Sequence, residues 1–203
     1  MEEDLLNILN NSDEAVYELD AYLAKQSGID NKQKWEALKE IALRGTQKQR
    51  FFALTVISVN KPDYLEAISL ELIENHNFSE IEPILKPICN ICSTIGKEIH
   101  ANYMEEVLDY AIKNNKEYLA EVVLRNIIST KYWRRVIGNI LQIVSISDNL
   151  TIVDLLSFFI YQQGNDEYSL LINHFSKENQ EKIAKLQIQI LERLKNGYQK
   201  LNV

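Results

Sequence analysis

The sequence predicts an all-α fold, an α-solenoid of about five antiparallel helical hairpins with a C-terminal capping helix. Apolar residues recur every three or four positions, as on one face of a helix, and strand-like alternation is almost absent. One helical pattern also repeats along the chain. We therefore expect residues 1–203 to form a single helical repeat domain, in which 177–203 is the terminal capping helix.

Start and stop signals divide the chain into about ten helices. Ser12 precedes the first, which ends near Gly28. Asn31 is expected to cap the second, which ends at Gly45, and Thr46 opens the third. Each boundary follows from a residue that satisfies or interrupts the backbone hydrogen bonds of a helix.

Proline and serine mark the next two boundaries. Pro62 suits a first helical turn, where its missing N–H costs nothing. Ser79 and Glu82 have the spacing of a capping box at the start of the following helix. Pro87 is expected to kink that helix, and Gly96 to end it.

Five further segments follow in the second half: "YMEEVLDYAIKN", "KEYLAEVVLRNII", the segment that contains "KYWRR", "LTIVDLLSFFIYQQ" and "DEYSLLINHF". Ser147 or Asn149 is expected to begin the fourth of these, and Gly164 to end it. Ser176 caps the last helix of the chain, which ends at Gly197.

Five segments align without gaps and share an aromatic or long residue followed by apolar residues at helical spacing. They begin at Lys34, Tyr64, Tyr103, Tyr132 and Tyr168. Each follows another apolar helix, so the repeating unit is a helical hairpin of roughly 35 residues. Such a unit cannot bury its apolar face alone, and stacking makes a continuous core.

Over nearly its full length, this pattern of repeated helical hairpins resembles the HEAT and armadillo-like repeat class. The resemblance implies a right-handed solenoid with a concave surface that recognises proteins. An irregular solenoid-like helical domain is the alternative, because the proline found in many HEAT first helices is not repeated here.

The alignment also interprets the cluster "KYWRR". Arg134 and Arg135 occupy the positions of Glu105 and Glu106 one repeat earlier, so they are expected to face a set of carboxylates that also includes Asp109. The cluster then braces neighbouring helices. By the same alignment Trp133 is a core residue, and Gly138 permits a close approach of two helices.

Cysteines and histidines give little support for a metal, cofactor or catalytic site. Cys89 and Cys92 are expected to be reduced thiols on a helix, with at most one facing the core. His76, His100 and His174 lie near helix ends without ligand spacing, and are expected to be exposed or bonded to helix C-terminal carbonyls. We therefore expect a non-enzymatic protein.

The net charge of −7 and the pI near 5.1 favour a basic protein partner over nucleic acid. The acidic start and the lack of a long apolar run predict a cytoplasmic protein that does not span a membrane. The leading hypothesis is a protein-binding solenoid, and its most specific form is an immunity-type inhibitor of a basic bacterial toxin. The expected contact residues are polar positions of the second helices: Glu66, Glu71, Glu74, Glu105, Glu106, Asp109, Arg134, Arg135, Asn139 and Gln142.

The alternative is nucleic-acid binding. Small HEAT-like DNA glycosylases are similar in size and fold type, and they use an aromatic–Asp–Arg constellation. Trp133, Arg134, Arg135, Asp109 and Asp154 supply these residue types here.

The last helix carries Ile183, Leu186, Ile190 and Leu194 on one stripe, as a terminal cap requires. Self-association through an uncovered part of this helix is the alternative interpretation.

Overall fold

The computed structural model describes residues 2–11, 14–24, 29–60 and 62–197. Within these ranges the chain forms twelve α-helices and one 3₁₀ turn, and no strand. The all-α prediction is confirmed. The chain divides into two compact units, Met1–His100 and Ala101–Val203. That both belong to one repeat domain stays a prediction.

The first unit is built around one central helix. Its helices are α1 (Glu2–Asn11), α2 (Ala15–Ala24), α3 (Ile29–Arg44), α4 (Gln47–Asn60), α5 (Pro62–Leu72) and α6 (Phe78–Ile95). Helix α4 contacts all five others. Its residues Ala53, Leu54 and Ile57 are completely buried. The sequence did not predict α1, which buries Leu5 and Leu9, one helical turn apart.

The second unit is organised around another central helix. Its elements are α7 (Glu98–Lys113), which begins in the first unit, α8 (Glu117–Ile128), the 3₁₀ turn (Trp133–Val136), α9 (Ile137–Ile146), α10 (Asn149–Gln163), α11 (Asn165–Ile172) and α12 (Lys177–Lys195). Helix α10 contacts α8, α11 and α12. The Trp133 ring meets the Phe159 ring edge to face, with centroids 5.0 Å apart. The prediction that Trp133 is a core residue is confirmed, since it is 6% exposed.

The order of helices agrees with the expected succession of pairs. The five aligned segments fall on α3, α5, α7, the 3₁₀ turn with α9, and α11. Their first residues Lys34 and Tyr103 are buried, and Tyr132 and Tyr168 are half-buried. The side chain of Tyr64 lies outside the described part of the chain. Within each unit the helices that precede the aligned segments contact one another in series, α2 with α4 with α6, and α8 with α10, which also contacts α12.

The capping box occurs at α4 rather than at α6. The Thr46 N–H donates to Gln49 Oε1 at 2.8 Å, and the Gln49 N–H donates to Thr46 Oγ1 at 3.4 Å. Thr46 therefore opens its helix as predicted. The box predicted at Ser79 and Glu82 is wrong, because α6 already begins at Phe78 and so includes both residues.

Two other predicted caps are displaced and one is confirmed. Asp148, between the two candidates Ser147 and Asn149, caps α10 by accepting the Thr151 N–H at 2.7 Å. Asn31 lies inside α3, so it cannot be the N-cap of that helix. The Ser176 hydroxyl caps α12 as predicted, by accepting the Asn179 N–H at 3.3 Å.

Glycine and proline mark the expected boundaries. Gly96 and Gly164 end α6 and α10 with φ of 63° and 90°, a region that favours glycine. Pro62 begins α5, and α6 continues through Pro87. Gly138 is exposed, and a Cβ there would meet no atom within 4 Å, so the predicted close helix approach is wrong. Ser12 and Gly28 lie outside the described residues.

The Thr46→Ala variant is expected to lose about 1 kcal/mol of unfolding free energy, because the Gln49 N–H at the start of α4 loses its acceptor, the Thr46 hydroxyl. Urea unfolding followed by circular dichroism measures this. Thr94→Ala is the control, since the exposed Thr94 hydroxyl only donates to the Asn90 carbonyl of its own helix. Equal losses in the two variants would contradict the assignment of Thr46 as a cap.

Candidate functional site

Helix α5 and the turn that follows it present acidic side chains in the first unit. Glu66, Glu71 and Glu74 are all exposed. Glu66 forms an ion pair with Lys97, and this cation lowers the pKa of the Glu66 carboxyl. Glu71 Oε1 lies 3.9 Å from Arg44 Nη2, a loose contact between exposed groups. The structure therefore places all three predicted carboxylates of the first unit at the surface, two on α5 and Glu74 in the turn after it.

Helix α7 places its carboxylates in the second unit. Glu106 and Asp109 are exposed, and Glu105 is half-buried. Burial raises the pKa of Glu105, and the charge of Asp109 acts in the same direction, whereas the Arg135 guanidinium opposes both. The Arg135 guanidinium therefore favours the charged form of Glu105.

Arg135 supplies the positive charge beside Glu105. Its Nε lies 2.8 Å from Glu105 Oε1, and its Nη2 donates to Asn102 Oδ1 at 2.8 Å. The guanidinium also lies over the Tyr132 ring, 5.6 Å from the centroid. The predicted contact of Arg135 with an α7 carboxylate is confirmed at Glu105.

Arg134 points elsewhere. Its Nη2 donates to Glu167 Oε1 on α11 at 2.7 Å, and its guanidinium lies 5.2 Å from the Trp133 ring centroid. The prediction that both arginines face the α7 carboxylates is therefore wrong for Arg134. Both residues belong to a 3₁₀ turn rather than an α-helix. With three residues per turn, consecutive side chains diverge by about 120° and reach different neighbours.

The remaining predicted residues lie on α9, where Asn139 is half-buried and Gln142 is exposed. The second unit thus joins Glu105 to Arg135, and it adds Asn102 and Glu167, which sequence analysis missed. Repeat alignment pairs residues at equivalent positions of neighbouring repeats. It therefore cannot indicate a contact between residues at positions that are not equivalent.

A second charged cluster was also missed in the sequence. Arg125 lies 2.6 Å from Glu121 and 3.7 Å from Asp154, and Arg193 lies 3.1 Å from the other oxygen of Asp154. These contacts link α8, α10 and α12. Except for Arg193, the side chains are less than 20% exposed. Asp154 therefore joins helices within the core, and its described partners are not the Trp133–Arg134–Arg135 segment.

His100 differs from its predicted environment. It is completely buried, and its Nε2 lies 2.8 Å from Ser69 Oγ. The Ser69 hydroxyl donates to the Glu66 carbonyl, so it accepts from His100 Nε2. That assignment leaves Nδ1 as a buried acceptor without a hydrogen bond in the described structure. Burial lowers the pKa of His100, and nearby Lys97 lowers it further, while Glu66 opposes them. The exposed His76 and His174 fit the prediction.

Both cysteines face the core, which corrects the expectation of at most one. Cys89 and Cys92 are free thiols that are completely buried on α6. Burial raises the pKa of Cys92 to about 12 and that of Cys89 well above its usual value. Within the ranges that the structure describes, no group of His, Cys, Asp and Glu side chains could hold a metal ion.

The excess of negative over positive charge is confined to the first unit. Residues 1–100 contain 17 Asp or Glu and 10 Lys or Arg, whereas residues 101–203 contain 12 of each. The net charge of −7 therefore comes entirely from the sequence of the first unit. A concentration of charge of this kind attracts oppositely charged partners.

None of the described helices combines the length and the apolar character that crossing a membrane requires. No family model matches the chain, and no curated protein or solved structure matches it either. Its function must therefore be argued from the geometry above.

A double-mutant cycle on Arg135→Met and Glu105→Gln is expected to give a coupling of about 0.5 kcal/mol, because both side chains are about one-third exposed. Urea unfolding of the wild type, both single variants and the double variant measures it. The loose and more exposed Arg44–Glu71 pair is the control, with coupling near zero. A coupling energy near zero between Arg135 and Glu105, like that of the control pair, would contradict the bracing role.

Stability is expected to fall as the pH drops below 6.5. The folded-state pKa of His100 is lowered from 6.5, so the unfolded chain takes up the proton first. The unfolding free energy continues to fall until the pH is below the folded-state pKa of His100. Thermal unfolding between pH 7.5 and pH 5 should show a smaller decrease in Tm for His100→Gln than for the wild type. His76→Gln, at an exposed site, is the control and should retain the wild-type pH dependence.

Proposed function

We propose that this protein is a non-enzymatic binding module whose acidic first unit recognises a basic protein. The observation that carries the proposal is the localisation of the net charge: seven excess negative charges belong to residues 1–100 and none to residues 101–203. Such a field raises the rate of encounter with a positively charged partner and disfavours nucleic acid.

The architecture we propose for this module is a right-handed α-solenoid of five hairpins. Support comes from the serial contacts of α2, α4 and α6, and of α8, α10 and α12, within their units. Each contact joins helices that are two apart along the chain, which is how hairpins stack in repeat proteins. The second helices then supply the polar binding surface.

Helix α5 offers the best contact surface in the first unit. Glu66 and Leu70 are spaced four residues apart on one face of α5, Glu71 lies beside Leu70, and Glu74 lies in the turn that follows the helix. Leu70 is 41% exposed. Leu70 is an apolar side chain surrounded by carboxylates. It suits a partner surface that has an apolar side chain surrounded by Lys and Arg.

The more specific form of this proposal is an immunity-type protein that neutralises a basic toxin by covering its substrate-binding surface. A nuclease must attract phosphate with positive charge, and the same charge would attract the carboxylates of α5. Small size, acidity and an expected independence of cofactors support this form of the proposal.

Nucleic-acid binding through Trp133, Arg134 and Arg135 has weaker support from the geometry. The Trp133 ring is buried against Phe159, and each guanidinium already contacts a carboxylate. A phosphate would have to replace these carboxylates, at the cost of leaving half-buried Glu105 without its cation.

Glu71→Lys/Glu74→Lys is expected to weaken binding of the basic partner at least about tenfold, because two attractive charges become repulsive. The partner is recovered by affinity capture from native extract, and its Kd for wild type and variants is then measured by calorimetry. Glu117→Lys/Asp166→Lys is the control, because it changes the net charge equally at exposed sites in the second unit.

Two outcomes would contradict the proposal. One is an equal loss of affinity in the test and control variants, which would show that only total charge matters. The other is tight binding of wild-type protein to short duplex DNA or RNA at physiological salt that Arg134→Glu/Arg135→Glu abolishes. That result would establish the nucleic-acid alternative instead.

A further inference from the structure

Helix α12 carries apolar side chains on two faces, and within the described part of the chain it packs through one of them. Ile183, Leu186 and Ile190 are buried, and α12 contacts α10. On the opposite face, Ile188 is 69% exposed and Leu191 is 46% exposed. A helix face turned to solvent is normally polar, so an exposed isoleucine and leucine beside each other call for an explanation.

The exposed face follows a heptad pattern. Glu181, Ala184, Ile188, Leu191 and Lys195 alternate at spacings of three and four residues, and all five are exposed. This is the spacing of the two core positions of a coiled coil, in which one helix pairs with another along a narrow seam. Only the central part of the seam is apolar, and its two ends carry charges.

These charges are arranged symmetrically about the apolar centre. Glu181 stands seven residues before Ile188 and Lys195 stands seven residues after it. At 1.5 Å per residue, each charge lies about 10 Å along the axis from Ile188. If two copies of α12 lie antiparallel about Ile188, Glu181 of each copy meets Lys195 of the other. A parallel pair would instead bring like charges together.

The positions that flank the seam show the same complementarity. Lys185 and Glu192 occupy equivalent heptad positions and are both exposed. Equivalent flanking positions face each other in an antiparallel pair, so Lys185 of one copy meets Glu192 of the other. Antiparallel alignment also opposes the two helix dipoles favourably.

We propose that the outer face of α12 binds a second copy of this chain, forming a two-fold symmetric dimer through antiparallel α12 helices. Ile188 and Leu191 form the apolar centre of the contact. The pairs Glu181–Lys195 and Lys185–Glu192, each formed twice, set its direction. The inference is independent of the acidic surface on α5.

The contact is expected to be reversible. Helix α12 has 19 residues and is therefore about 28 Å long. A seam of that length with two apolar side chains per copy is smaller than the interface of an obligate dimer. Dimer and monomer should thus exchange, and the dimer should predominate only at sufficient protein concentration.

Analytical ultracentrifugation of the full chain, over concentrations from about 1 to 300 µM, tests the proposal, since that range spans weak-dimer affinities. Wild-type protein is expected to shift from monomer to dimer, and Ile188→Lys/Leu191→Lys to remain a monomer. Leu150→Lys is the matched control. Leu150 is a comparably exposed apolar residue of the same unit, on α10, and its substitution should leave the dimer unchanged.

Charge reversal tests the antiparallel direction. Glu181→Lys and Lys195→Glu are each expected to weaken dimerisation about tenfold, because two attractive pairs become repulsive. The variant with both substitutions restores opposite charges across the seam and should dimerise like the wild type. In a parallel pair each charge would face the same residue of the other copy, so the single reversals would leave like charges opposed and would not weaken the dimer.

The outcomes are decisive in both directions. A wild-type chain that stays monomeric at the highest concentration would overturn the proposal, whether the face is covered by residues 198–203 or by a different protein. A dimer that survives Ile188→Lys/Leu191→Lys would also overturn it. A dimer lost with these substitutions and restored by the paired charge reversal would establish it.

Discussion

Burial of apolar side chains around α4 and α10 is the interaction on which each unit depends. Each of these helices contacts several others, and Leu54 on α4 and Phe159 on α10 are completely removed from solvent. Burying a side chain of this size contributes about 1.5–3 kcal/mol. The helices that surround them keep one face for the core and one for solvent. All candidate binding chemistry lies on those outer faces.

Charge is distributed differently in the two units although the helical pattern continues through both. In the second unit four arginines contact Glu105, Asp154 and Glu167, so much of its charge is compensated internally. In the first unit carboxylates outnumber the cations. Half-buried pairs add little stability, but they hold neighbouring helices in one arrangement.

Helix content and most boundaries could be predicted, because helical spacing of apolar residues and glycines such as Gly96 act locally. The cap at Asp148 and the start of α6 were missed by one or two residues, since several polar residues compete for the same position. His100 and the two cysteines were assigned the wrong environment because burial depends on which neighbours pack there. Arg135 was placed correctly by repeat alignment, whereas the 3₁₀ turn redirected Arg134 to a partner that no alignment indicates.

Because the thiols of α6 are buried, their reactivity reports how often this part of the first unit opens. Cys89 and Cys92 are shielded from solvent, and burial keeps both in the unreactive protonated form. A thiol-specific reagent can therefore react with them only when α6 transiently separates from its neighbours. The rate of labelling under native conditions gives the free energy of that opening directly, without denaturant and without any introduced probe.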